Sequence, residues 1–140
     1  MTTTDVNKIN ETGRGRLPEY LGIKMIKIDS ETAEASMSIM AHHLAPNDYL
    51  HAGSIVTLAD TTCGNACMAN LPEKANGFTT IELKSNHLAT ATDGILMCSA
   101  FLVHSGRKTQ VWDAQVTHKE SGRTLALFRC TQMILYPKNQ

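Results

Sequence analysis

Apolar positions recur along this chain in two rhythms. Over residues 51–71, HAGSIVTLADTTCGNACMANL, the positions Ile55, Leu58, Ala59, Thr62, Cys63, Ala66 and Cys67 stand at helical spacing. Between Ala52 and Leu71 the one formally charged residue is Asp60, and a helix without a charged face is one that other elements cover. Ser54, Thr57, Thr61, Thr62, Asn65 and Asn70 make the stretch too polar to span a membrane. Gly64 costs about 1 kcal/mol relative to Ala inside a helix, a cost that close packing against it offsets. The stretch predicts a central helix, wrapped by the rest of the chain, with one carboxylate held inside.

Elsewhere the rhythm is that of strands. Residues 23–28 and 32–40 predict two strands around the polar turn Asp29-Ser30-Glu31. A loop follows over 42–50, carrying Pro46, Asn47 and Asp48, and beyond the helix a second break spans 72–77. Four further runs lie at 78–89, 95–104, 108–118 and 123–135. Thr92-Asp93-Gly94, Ser105-Gly106 and Glu120-Ser121-Gly122 separate them, turn chemistry that fits an antiparallel meander. Residues 95–103 are apolar on both faces, the mark of an interior strand, and Trp112, Ala114 and Val116 alternate cleanly. Residues 14–21 predict a short helical turn with Pro18 at its first position, ended by Gly22, and residues 1–13 a loose polar tail. Two strands, one buried helix and four long strands predict a single α+β domain over 1–140, its curved antiparallel sheet wrapped around the helix.

Composition narrows the partners. The chain has 140 residues, enough for one core without disulfide staples. Thirteen basic and thirteen acidic residues cancel, and no Lys/Arg cluster invites nucleic acid or a membrane surface. The polar first twenty residues lack the apolar core of a secretory signal, which predicts a cytoplasmic protein. Cys63, Cys67, Cys98 and Cys130 sit in the helix and in strand-like runs and predict small buried apolar groups rather than a disulfide framework. His42-His43 has no neighbouring ligand set, so no metal is expected.

Leu50-His51-Ala52-Gly53 followed by Leu58-Ala59-Asp60 resembles the His-Gly-Gly…Leu-Ala-Asp/Glu signature of the hotdog-fold acyl-CoA thioesterases, in the PaaI-like and 4-hydroxybenzoyl-CoA thioesterase group. Further similarities run along most of the chain: Leu21-Gly22-Ile23, Ile81-Glu82-Leu83 with Asn86-His87-Leu88, Gly106-Arg107-Lys108-Thr109 with Val111-Trp112-Asp113, and Ala126-Leu127-Phe128-Arg129. The chain departs from the pattern at three places. Ala52 replaces the first Gly of the pair, Ala45 stands where some relatives carry a Gln, and His87-Leu88-Ala89-Thr90 lacks an Arg/Ser-Pro often found there. The resemblance implies hydrolysis of an acyl-CoA thioester to a free acid and coenzyme A, with no cofactor, coenzyme A being part of the substrate. It also implies a homodimer, commonly paired into a dimer of dimers.

Thioester hydrolysis needs a polarised carbonyl and an activated water or a nucleophile. Asp60 is the candidate for the second task, because a buried carboxylate is costly unless it is partnered or retained for chemistry. The resemblance leaves base and nucleophile both open. The start of the helix offers N–H groups for the carbonyl oxygen, and the resemblance assigns that contact to the Gly53 backbone. His51 would orient the thioester or the loop, and Asn47 would supply the polar group that Ala45 does not. Thr80, with Thr79 as the competing register, matches a Ser/Thr that in some relatives comes from the neighbouring subunit and positions the water. Arg107 and Lys108, in a hairpin-like turn, carry charges suited to coenzyme A phosphates. Two other functions stand beside this one: a hotdog-fold hydratase or dehydratase, and a non-catalytic acyl-CoA-binding module.

Overall fold

The computed structural model describes residues 4–138. The chain opens with α1 (Val6–Thr12) and α2 (Leu17–Leu21), then β1 (Lys24–Ile28) and β2 (Thr32–Ser38). A 3-10 turn over Ala41–His43 leads to α3 (Ala52–Ala69). Four strands complete it: β3 (Gly77–His87), β4 (Ile95–Ser105), β5 (Thr109–His118) and β6 (Thr124–Leu135). All six strands form one antiparallel sheet in the order β1-β2-β4-β5-β6-β3. This is the expected hotdog arrangement, with α3 lying against the sheet.

Two expectations are corrected. The four-strand meander holds only for β4-β5-β6, since β3 pairs with β6 rather than β4. Residues 88–94 therefore carry the chain across the sheet, to a β4 that runs between β2 and β5. That crossing puts β4 in the interior, as its apolar faces require. The loose tail expected over 1–13 is helical from Val6 to Thr12, and its residues 1–3 lie outside the described residues. No residue of α1 is fully buried, though Val6 and Ile9 pack partly buried against the core. Polar contacts also hold it: Asp5 caps it by accepting from the Asn7 N–H, and the Asn10 side chain exchanges two hydrogen bonds with the backbone of Met25, at 3.1 and 2.9 Å. In α2, Pro18 is second rather than first, and Gly22 closes the helix at a φ of 73°, a left-handed conformation that glycine adopts without strain.

Ser54, Ile55, Leu58, Ala59, Thr62, Cys63, Ala66 and Cys67 form the buried side of α3, and inward residues of the sheet, among them Met37, Leu96, Trp112, Val116 and Leu125, complete the core. Buried hydroxyls are satisfied locally: Thr62 donates to the Leu58 carbonyl at 2.7 Å and Ser54 to the His43 carbonyl at 2.9 Å. The far end of α3 is tied down by a polar chain. Trp112 Nε1 donates to Gln110 Oε1, Gln110 Nε2 to the Asn70 carbonyl, both at 2.8 Å, and Asn70 Nδ2 to the carbonyls of Asp29 and Ala66. All four cysteines are buried free thiols, as their sequence setting predicts. Among the described residues no helix is long and apolar enough to cross a membrane.

Candidate active site

His51 is the N-cap of α3. Its backbone is extended, and its ring Nδ1 accepts the Gly53 N–H at 2.7 Å. An Nδ1 that accepts leaves a neutral ring its proton on Nε2. The cap is itself anchored, because the His51 N–H and the Ser54 hydroxyl both donate to the His43 carbonyl. His43 is wholly buried. Its Nδ1 accepts from Met40 N–H at 3.0 Å, and its Nε2 lies 2.8 Å from the Leu21 carbonyl. Burial pushes its imidazole below the ordinary value, so the ring stays neutral. His43 thereby clamps the end of α2 to the approach of α3.

Two turns into α3, Asp60 opens into a cavity of about 510 Å³ between the helix, β3 and the segment that holds α1, α2 and β1. The residue is half-buried. Its Oδ1 is buried and meets no hydrogen-bond donor, and burial raises the carboxyl above its usual range. Gly64 and Met68, one and two turns further, share the cavity, with Phe78 and Thr80 of β3. Thr80 donates its hydroxyl proton to Gln132 Oε1 at 2.6 Å, which leaves the Thr80 oxygen free only to accept.

The structure thus sorts the expected residues. It brings Asp60 and Thr80 to one cavity within one chain and sets His51 and Gly53 two turns upstream on the same helix. Thr79 is exposed on the opposite face of β3 and does not line the cavity. The Gly53 N–H, expected to face a thioester oxygen, is donated to His51 instead. Asn47 is exposed and uses its side-chain oxygen within the loop, accepting from Tyr49 N–H at 3.2 Å. Arg107 and Lys108 sit exposed in the β4–β5 turn, away from this cavity. There the Arg107 guanidinium lies 6.0 Å from the centre of the Tyr136 ring, and the Tyr136 hydroxyl donates to the Arg107 carbonyl. Nothing in the sequence singles out Phe78, and His43 stands there only as half of a His pair with no ligand set. Neither has a pattern of its own, although Gly64, at one turn from Asp60, marks where Phe78 approaches. Among the described residues no group of three or more His, Cys, Asp or Glu is placed to hold a metal ion.

The chain is similar to known proteins along most of its length. The sequence profile described as Thioesterase superfamily matches residues 47–125, more than half of the chain and the part that holds His51, Gly53, Asp60 and Thr80. The chain is 29% identical over 115 residues to a 1,4-dihydroxy-2-naphthoyl-CoA hydrolase of Listeria monocytogenes, covering 82% of this chain and 92% of that one. It is 30% identical over 109 residues to the acyl-coenzyme A thioesterase PaaI of Escherichia coli, covering 78% and 75%. The crystal structure of a mutant thioesterase from Pseudomonas aeruginosa superposes with a TM-score of 0.90 at 27% identity, over 96% of each chain. The chain belongs to the thioesterase superfamily, as a PaaI-like hotdog-fold thioester hydrolase.

Proposed function

We propose that this protein hydrolyses acyl-CoA thioesters to a carboxylic acid and free coenzyme A, with Asp60 as general base. The observation that carries the proposal is a half-buried carboxylate that lines a cavity, one of its oxygens buried without a partner, on a helix with no other charge. Such a group is costly to keep and suited to take a proton. Ionised Asp60 accepts a proton from water, and the water oxygen attacks the thioester carbon. Collapse of the tetrahedral intermediate breaks the C–S bond, and the thiolate of coenzyme A leaves and is protonated. Thr80, its own proton given to Gln132, holds the water's second hydrogen. About 13 Å of helix separates His51 from Asp60 within one chain, so the two meet at one carbonyl only across the dimer proposed below. His51 of one protomer, its Nδ1 occupied by Gly53, offers Nε2–H to the carbonyl oxygen at the other protomer's carboxylate as negative charge develops there. Gly53 then acts through His51, by fixing which nitrogen carries the proton. Asn47 shapes the loop ahead of them, and Arg107 with Lys108 supplies positive charge for the phosphates of coenzyme A.

The assembly proposed with this reading is a homodimer, joined to a second as a dimer of dimers. Its support is β3, an edge strand of eleven residues that exposes Ile81 and Leu83. A long apolar edge of this kind is a template for pairing with another chain. The function is tested with Asp60→Asn, assayed by thiol release over an acyl-CoA panel. Turnover falls by a factor on the order of a hundred to ten thousand while acyl-CoA still binds. Hydrolysis of the best substrate at the wild-type rate would remove Asp60 from the mechanism.

A further inference from the structure

Asp60, Gly64 and Met68 stand at successive turns of α3 and all line the cavity. They form one stripe along one face of the helix. From Asp60 to Met68 the stripe runs about 12 Å, at 1.5 Å of rise per residue. The carboxylate stands at one end, an exposed and flexible methionine at the other. Across from the stripe Ile9, Pro18, Ile23 and Met25 form the apolar part of the cavity wall, which Arg16, Glu19 and Lys24 also line. Midway, Phe78 of β3 lies against the helix where a side chain is missing. A methyl group on Gly64 would stand 3.1 Å from Phe78 Cζ and 3.7 Å from Cε2. The first distance is closer than ordinary van der Waals contact, so with any side chain at residue 64 the ring would have to give by a few tenths of an ångström. A helix interior disfavours glycine, and this contact accounts for its presence.

We propose that the Asp60–Gly64–Met68 stripe is the track for the acyl chain of an unbranched, medium-length acyl-CoA, and that Gly64 and Phe78 together set its width. The proposal rests on the thioesterase reading of Asp60. The carbonyl sits beside Asp60, and the chain runs beside the Phe78 ring, which covers Gly64, toward Met68. A stripe about 12 Å long with an aromatic ring closing over its middle takes an extended chain better than a broad ring system. Side chains at the narrow point decide how much of the chain is buried, and each methylene placed in or kept out of such a pocket changes kcat/KM by about tenfold or more.

The test compares kcat/KM for butanoyl-, octanoyl-, dodecanoyl- and benzoyl-CoA, each ratio taken on a single variant so that overall activity cancels. The native protein is expected to favour octanoyl- over both butanoyl- and benzoyl-CoA by at least tenfold. Gly64→Ala pushes the Phe78 ring toward the trough by a few tenths of an ångström and cuts the octanoyl-to-butanoyl ratio about tenfold. Phe78→Ala opens the trough and raises the dodecanoyl-to-octanoyl ratio by a similar factor. Combining the two abolishes the Gly64→Ala effect, because the added methyl meets no ring. Phe78→Leu repeats the measurement with less loss of packing should Phe78→Ala unfold. Preference for benzoyl-CoA, or ratios that stay within about twofold across the set, would overturn the track. Calorimetric binding of the same acyl-CoAs to Asp60→Asn, with and without the wall substitutions, separates the two proposals. Chain-length-dependent binding that follows the wall, with no turnover by the native protein, keeps the track and sinks the hydrolase. Turnover with wall-independent ratios does the reverse.

Discussion

An ionised Asp60 has one oxygen that no donor meets, and the helix around it offers no opposing charge. The fold therefore favours the protonated form, which is what raises its pKa. For an acid raised in the folded state, the stabilising contribution is complete below the ordinary carboxylate range and is lost as pH rises through the folded pKa. Asp60→Asn removes the penalty, so the variant is expected to melt above the native protein at pH 7. The gap should close as pH is lowered through the carboxylate range, read by thermal denaturation at both ends. A variant that melts below the native protein at pH 7 would mean that Asp60 is a structural anchor. His51 poses a separate question. His51→Ala removes both the cap and the Nε2–H donor, and kcat should fall on the order of a hundredfold with KM little changed. His51→Asn restores a capping oxygen, recovering about 1 kcal/mol of stability but not the rate. Full activity in His51→Asn would return the oxyanion contact to the backbone. Asp60 was legible because a lone charge in a small-residue helix is conspicuous. The choice between Thr79 and Thr80 was not, since neighbours on a strand face opposite ways and sequence alone leaves the register open. Nor was the engagement of the Gly53 N–H, which depends on where one imidazole turns.

At the scale of elements, the polar chain from Trp112 through Gln110 to Asn70 joins β5, the end of α3 and the turn after β1. Trp112 and Gln110 are wholly buried. Gln110→Leu keeps the bulk of the side chain but strands the indole N–H and the Asn70 carbonyl in a dry core. A loss of about 2 kcal/mol or more in denaturant unfolding is expected, since each orphaned buried group costs about 1–3 kcal/mol. A change under half of that would mean that water replaces the lost partner. The strand runs were legible to within two residues at each end, because period-two alternation and turn residues mark them directly. Connectivity was legible only in part. The Thr92-Asp93-Gly94 break reads as a hairpin turn whether the chain doubles back or crosses the sheet, and the crossing is settled by which edges remain to be paired. The helix α1 was invisible for a different reason. It packs only Val6 and Ile9, partly buried, against the core, too short a pattern to read, and two hydrogen bonds from Asn10 leave no periodic trace.

For the whole molecule, the open edge of β3 predicts a dimer in light scattering at assay concentration, and an active monomer there would overturn the assembly. Asp60 and Thr80 line one cavity of one chain, so mixing Asp60→Asn with Thr80→Ala chains is expected to leave both hybrid sites impaired. Recovery of activity on mixing would show that the partner supplies Thr80. The core carries a further consequence. Cys63, Cys67, Cys98 and Cys130 are buried and unpaired, and burial pushes the thiols of Cys67 and Cys98 up to about 12. Native thiols so placed offer almost no thiolate to an alkylating reagent. They become reactive only when α3 separates from the sheet. The rate at which a maleimide consumes them is thus a clock for that opening, and a ligand that binds only the closed form should slow it in proportion to its affinity. Candidate acyl-CoAs can be ranked this way without waiting for a turnover.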